Sequence, residues 1–199
     1  MKRRISVKTY RLIDLGIFAF LLVLFESLLV RAARVWFADQ LYTVSVVAAV
    51  TGIVMMRWGA FGLIHAVLGG AVFALMAGGS AQHFACYCIG NLAASGALLF
   101  LKAAGKNRVS REGWLTLLYA VIVQVLMQAG RTLIALIFGV SPSVAAGFFT
   151  TDSLSVVFTM LILWIAGRQD GLLEDQRSFL ERTREEDARR LEEEDGFGS

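Results

Sequence analysis

Between Arg57 and Lys102 the chain carries no Asp, Glu, Lys or Arg. A soluble domain spreads charged residues throughout, at about a quarter of its sequence. This uncharged stretch is long enough for two membrane-crossing helices at about 20 residues each. The remainder agrees: 57% of the 199 residues are apolar and only 18% are charged. The pattern predicts an all-α polytopic membrane protein. One membrane domain consumes most of the chain, which leaves no room for a separate soluble catalytic domain.

Charge divides the chain in two. From Asp170 onward there are 11 acidic residues against 5 arginines, while the rest carries 14 basic against 5 acidic residues. The basic excess reads as membrane topology, not nucleic-acid binding. Domains are expected at 1–169, a membrane bundle, and 170–199, a charged cytoplasmic tail.

Apolar runs place six spans near Leu12–Val30, Leu41–Met56, Gly59–Gly78, Ala81–Leu101, Leu115–Val140 and Ala146–Ala166. The links between them are short, so successive spans pack as antiparallel neighbours. A cleavable signal peptide is the alternative for the N-terminus, since Lys2, Arg3 and Arg4 precede an apolar run. That run is longer than a usual signal core and ends in Arg31-Ala32-Ala33-Arg34, so a retained first span is expected. With the N-terminus inside, Arg57, Lys102, Lys106, Arg108, Arg111 and the tail arginines are also inside, and only Arg31 and Arg34 lie outside. The positive-inside bias therefore predicts two cytoplasmic termini in a multi-pass cell-membrane protein.

Polar residues inside the spans carry the functional signal. Gln124, Gln128 and Arg131 fall at i, i+4 and i+7 on one face of the fifth span; Asp152, Ser155 and Thr159 share a face of the sixth. Counting from the short loop with Pro142, the only proline, Arg131 lies about 13 Å deep and Asp152 about 9 Å deep, at 1.5 Å per residue. Two neighbouring helices thus bring opposite charges to similar depth, where a paired charge is far cheaper than a lone one. Glu26 near the outer end of the first span, and His83, Tyr87 and Asn91 descending the fourth, complete a polar layer. This layer is expected to bind a small polar or anionic molecule, with Arg131 gripping an acceptor. A purely structural ion pair between Arg131 and Asp152 is the competing reading.

Other residues have simpler expectations. Asp14 sits one turn from Arg11 and suggests a local pair, and His65 suggests helix packing. Cys86 and Cys88, two apart, face different sides of a helix, so neither a disulfide nor a metal site is expected. Gly62, Ala66, Gly70, Ala74 and Gly78 form a small-residue ladder suited to close helix contact, within this bundle or with another subunit. The link Arg31–Gln40 suits a surface anchor or a lid. In the tail, Arg182/Glu186, Glu185/Arg189 and Glu186/Arg190 are i,i+4 pairs that support a polar helix. Its apolar stripe, Leu172, Leu173, Phe179 and Leu180, suits docking or a solvated, fraying helix equally.

Six short-linked spans with a polar layer in the outer half resemble the substrate-binding S component of energy-coupling factor (ECF) vitamin transporters. The segments Arg57-Trp58-Gly59-Ala60-Phe61-Gly62-Leu63-Ile64-His65-Ala66-Val67-Leu68-Gly69-Gly70 and Asp170-Gly171-Leu172-Leu173-Glu174-Asp175-Gln176 look similar to stretches of such proteins. The resemblance implies capture of a vitamin-like micronutrient, which is handed to a transmembrane coupling subunit driven by two cytoplasmic ATPases. No GxxxxGK[ST] phosphate loop is present, so the ATP chemistry lies in other chains and no cofactor is expected here. The family's alanine-xxx-alanine docking pattern on the first span is broken, since Val23 follows Ala19 at the fourth position. Two other classes compete. A stand-alone secondary transporter or assembly factor would favour discontinuous helices and inverted repeats, neither evident in the sequence. An integral membrane enzyme would draw on His83, Cys86, Glu26 and Asp152, but no catalytic motif frames them.

Overall fold

The computed structural model describes residues 6–36, 43–169 and 171–183, together with residues 185 and 189. Among these the protein is all-helical. Its helices are α1 (Val7–Trp36), α2 (Val47–Trp58), α3 (Gly62–Met76), α4 (Ala81–Ala104), α5 (Lys106–Arg111), α6 (Gly113–Ile137) and α7 (Pro142–Arg168). A last helical stretch, 176–183, follows. Measured by length and apolarity, five helices are able to cross a membrane: Val7–Trp36, Val47–Met76, Ala81–Ala104, Gly113–Ile137 and Pro142–Arg168. This is a multi-pass membrane protein.

The count of five differs from the six expected spans because of Gly59. Val47–Met76 passes without coil through a single 3-10 turn, yet Gly59 at φ 63 and ψ −130 lies outside the helical region. That backbone angle suits only glycine without cost. The chain folds back there. A Cβ on Gly69 would stand 2.6 Å from a methyl of Val47, whereas a straight helix would separate these residues by roughly 33 Å. α2 and α3 therefore pack as an antiparallel hairpin.

The ladder of small residues on α3 is spent inside the bundle. Gly62 lies against Met55 and Thr51 of α2, Gly70 against the Tyr87 backbone of α4, and Ala66 and Ala74 are wholly buried. Gly78, at φ 68, turns the chain toward α4, and a Cβ there would meet nothing within 4 Å. The tightest approach joins α4 to α6. A Cβ on Gly90 would sit 2.7 Å from the Arg131 nitrogen and Cα, and one on Gly130 would overlap the Gly90 carbonyl oxygen. Backbones so close forfeit side-chain bulk and gain dispersion contact, the membrane substitute for a hydrophobic driving force.

Tyr119, Met55, Met56, Met127 and Leu163 fill the centre, with the Tyr119 hydroxyl donating to the Gly52 carbonyl at 3.0 Å. Leu12, Phe20, Leu28, Leu99, Ile137 and Val157 point outward, as a lipid-facing surface requires.

Two sequence expectations change at the end of the bundle where α1 begins and α7 ends. Asp14 does not pair with Arg11. It reaches across to α2, where it takes Arg57 Nε and Nη2 at 2.8 Å each and Trp58 Nε1 at 2.6 Å. Arg57 is 6% exposed and offers a bidentate partner, which outweighs a neighbour one turn away that stacks on an aromatic ring instead. Arg11 instead lies over the Phe61 ring at 4.2 Å. The segment after α7 docks on this same end. Arg57 Nη1 donates to the carbonyls of Gly171 and Leu172, Lys106 meets Asp175 at 2.6 Å, and Leu173 and Gln176 are buried. Arg182 pairs with Glu174. Glu186 and Arg190, two members of the expected i,i+4 pairs, lie outside the described residues. His65 packs as expected, with Nε2 3.1 Å from the Leu15 carbonyl.

Candidate functional site

At the opposite end, the backbone itself determines where polar side chains gather. The sequence places a span from Leu41, but α2 begins only at Val47 and residues 43–46 are non-helical. Ser45 and Val46 are nevertheless buried. Away from water every exposed amide needs an acceptor, and irregular backbone survives at membrane depth only where protein supplies one. The amides of Thr43, Ser45 and Val46 each find one. Thr43 N–H donates to the Thr151 carbonyl at 2.9 Å, Ser45 N–H to Ser155 Oγ at 2.9 Å, and Val46 N–H to Glu26 Oε2 at 2.9 Å. Val47 N–H closes the set on Ser45 Oγ at 3.2 Å.

Glu26 supplies one of these acceptors. It is fully buried, and its carboxylate faces the N-terminus of α2, where free N–H groups and the helix dipole favour an anion.

Asp152 is the hub. The sequence placed it within a continuous helix, but α7 is interrupted at Ala146 and again at Asp152, whose φ −101 and ψ 16 end one helical segment and precede the next at Ser153. The break turns the carboxylate inward. Oδ2 accepts from Arg131 Nη1 at 2.9 Å, from Gln124 Nε2 at 3.1 Å and from Gln128 Nε2. Oδ1 accepts from Thr43 Oγ1 at 3.1 Å and from Ser155 Oγ. Five donors satisfy one carboxylate.

Arg131 is held from both sides. Besides Asp152, its Nε donates to Asn91 Oδ1 at 2.7 Å, and Asn91 in turn donates to the Ala66 carbonyl at 2.9 Å. The guanidinium sits 4.8 Å from the centre of the Tyr87 ring, a cation–π distance. Thr159 Oγ1 reaches Gln124 Oε1 at 3.4 Å. Arg131, Asp152, Gln124, Gln128 and Asn91 are all at most 4% exposed. The network crosses α3, α4, α6, α7 and the 43–46 segment.

Of the eight residues chosen from sequence, this arrangement links Arg131, Gln128, Asp152, Asn91, Gln124 and Tyr87 directly. Glu26 joins through Val46 and Ser45, whose amide meets Ser155. His83 is not brought in. It is exposed, at the start of α4, where its amide is capped by Ser80. The i, i+4, i+8 relation of His83, Tyr87 and Asn91 assumed a regular α-helix, but α4 is wound as a π-helix over Ala85–Ile89 and as a 3-10 helix over Asn91–Ser95. The wide turn shifts the register, so the face that carries Asn91 is no longer the face of His83. Sequence reading missed Thr43 and Ser45. Their signal was the run Thr-Val-Ser before an apolar helix, which suits a helix start better than a helix interior.

Two acceptors in this layer stand apart. Glu26 Oε1 and Gln128 Oε1 are buried and have no hydrogen-bond partner among the described residues. Each such orphan costs about 1–3 kcal/mol. Arg131 and Asp152 cancel, and the buried Glu26 carboxyl adds a further acceptor, so the layer is short of donors. No group of three or more His, Cys, Asp or Glu able to hold a metal occurs among the described residues.

No family model matches this chain, and no curated protein or solved structure gives a significant match.

Proposed function

We propose that this chain is the membrane-embedded substrate-binding subunit of an ECF-type ATP-driven importer. It takes a vitamin-like micronutrient from outside and passes it to a transmembrane coupling subunit with cytoplasmic ATPases. In this reading the bundle crosses the membrane six times, α2 and α3 counting separately, with both termini and the 176–183 helix in the cytoplasm. The observation that carries it is the pair of buried, unpartnered acceptors, Glu26 Oε1 and Gln128 Oε1, beside the neutralised Arg131–Asp152 pair. A ligand with N–H or O–H groups relieves both orphans, and the Arg131–Asn91–Asp152 lattice presets their geometry. The ligand is therefore a donor-bearing polar compound, not a simple carboxylate.

Mass spectrometry of small molecules retained through purification tests this. The compound so identified is expected to bind Gln128→Leu about 10-fold more weakly, the value of roughly one buried hydrogen bond. Unchanged affinity in a folded variant overturns the assignment. Gentle extraction is expected to co-purify a larger membrane subunit and ATPases.

One observation favours a stand-alone secondary transporter: beside the polar layer α7 is interrupted and α4 changes its winding, a feature akin to the discontinuous helices of such transporters. Full uptake of the identified compound by the chain alone, in liposomes without ATP, would decide for that reading.

A further inference from the structure

We propose that a cleft at the Gly59 end of the bundle binds the phosphate of an anionic phospholipid. The cleft measures about 240 Å³ and lies between the start of α1, the Gly59 reversal, the start of α5 and the docked segment after α7. Four cations line it: Arg11, Arg57, Lys106 and Arg177, against one anion, Asp175. Two of the cations are already committed. Arg57 is held by Asp14 and by backbone carbonyls, and Lys106 by Asp175. Arg11 and Arg177 enter no ion pair among the described residues. The cleft thus keeps two uncompensated guanidinium groups, the group best shaped for the oxygens of a phosphate.

The surroundings decide between a lipid and a soluble phosphate. Phe61, on which Arg11 stacks, is followed one turn along the chain by Ile64, exposed at 58%, and Leu12 and Ile13, exposed at 73% and 52%, flank Arg11 on the neighbouring faces of α1. These apolar side chains begin the lipid-facing surface next to the cations. An occupant whose phosphate sits between Arg11 and Arg177 therefore has exposed hydrocarbon surface beside it, where acyl chains lie. Arg11, stacked on Phe61, already occupies the boundary between the cleft and that surface. Anionic leaflets attract such basic side chains at the membrane surface. The inference does not depend on what the bundle transports.

The test places the purified full chain in nanodiscs of phosphatidylcholine with a minor fraction of phosphatidylglycerol of the same acyl chains. Native mass spectrometry then reads the ratio of the two lipids retained on the protein. The wild type is expected to enrich phosphatidylglycerol over its bulk share, and Arg177→Gln to lose about fivefold of that enrichment, the effect of one basic side chain at an anionic surface. The double variant Arg11→Gln/Arg177→Gln is expected to return to the bulk ratio. Arg108→Gln, an exposed arginine outside the cleft, is expected to behave as wild type. Arg177 is exposed and in no ion pair, so its single variant remains informative if the double variant misfolds. No enrichment in the wild type, or enrichment retained by Arg177→Gln, overturns the proposal. Displacement of the lipid by millimolar inorganic phosphate also overturns it, in favour of a soluble phosphate site.

Discussion

Removing either member of the Arg131–Asp152 pair is expected to have unequal effects, and the inequality follows from their partners. Asp152 takes five hydrogen bonds, and four come from neutral groups: Gln124, Gln128, Thr43 and Ser155. Arg131 makes two, to Asp152 and Asn91. In Arg131→Met the carboxylate keeps four donors. At roughly 0.5–1.5 kcal/mol each they retain about 2–6 kcal/mol of compensation. In Asp152→Asn the guanidinium keeps only neutral partners, the Asn91 oxygen, one amide oxygen at position 152 and a ring face, and a buried charge left without its counter-ion costs about 3–5 kcal/mol. Asp152→Asn is therefore expected to destabilise the bundle by about 2 kcal/mol more than Arg131→Met. The double variant Arg131→Met/Asp152→Asn is expected to be more stable than Asp152→Asn alone, because it removes the stranded charge. Tryptophan fluorescence during unfolding in mixed detergent micelles measures all three. If Arg131→Met is the worst of them, or if the two single effects simply add, the reasoning about the hub is wrong.

Further outcomes follow from contacts elsewhere. Gly130→Ala places a methyl into the Gly90 carbonyl and is expected to cost about 3 kcal/mol or more, seen as a lost cooperative melt; an unaltered melt would contradict the backbone contact. Asp14→Asn leaves Arg57 short of its counter-ion and is expected to cost about 3 kcal/mol and to make the 171–176 segment more sensitive to limited proteolysis. At the exposed α5 end, the hydrogen bond from Arg108 holds the Glu112 carboxyl below its ordinary 4.5. A lowered folded value means that the pair's small contribution is present above the ordinary carboxylate range and fades as pH falls through the folded value. Arg108→Gln is expected to raise the Glu112 titration, read by carboxyl NMR, with almost no change in stability.

How much of this was legible in the sequence depends on how local the cause is. The Arg131–Asp152 pair was legible because a short loop fixes the depth of both residues, and Gln124, Gln128 and Arg131 share a face by helix geometry alone. The start of α2 was not. Val44, Ser45 and Val46 read as helix to any apolarity argument, and they are released from it by acceptors on Glu26 and Ser155, far away in the chain. The partner of Asp14 was misread for the same reason: its bidentate bond to Arg57 joins helices 43 positions apart. His83 failed through winding, since nothing in the composition of Ala85–Ile89 announces a π-turn.

The Gly90–Gly130 contact sets where this bundle is stiff. With backbone against backbone there is no side chain to re-rotamerise, so Asn91 on α4 and Arg131 on α6 keep their spacing unless main chain itself moves. On the other side of the layer a single backbone bond, from Thr43 N–H to the Thr151 carbonyl, is joined by side-chain bonds from Glu26, Thr43 and Ser155 to single amides and carboxylate oxygens. Exchange of those side-chain bonds for bonds to a guest requires rotamer changes alone. The molecule thus has a rigid jaw made of α4 and α6, and a compliant one made of α1, the 43–46 segment and α7.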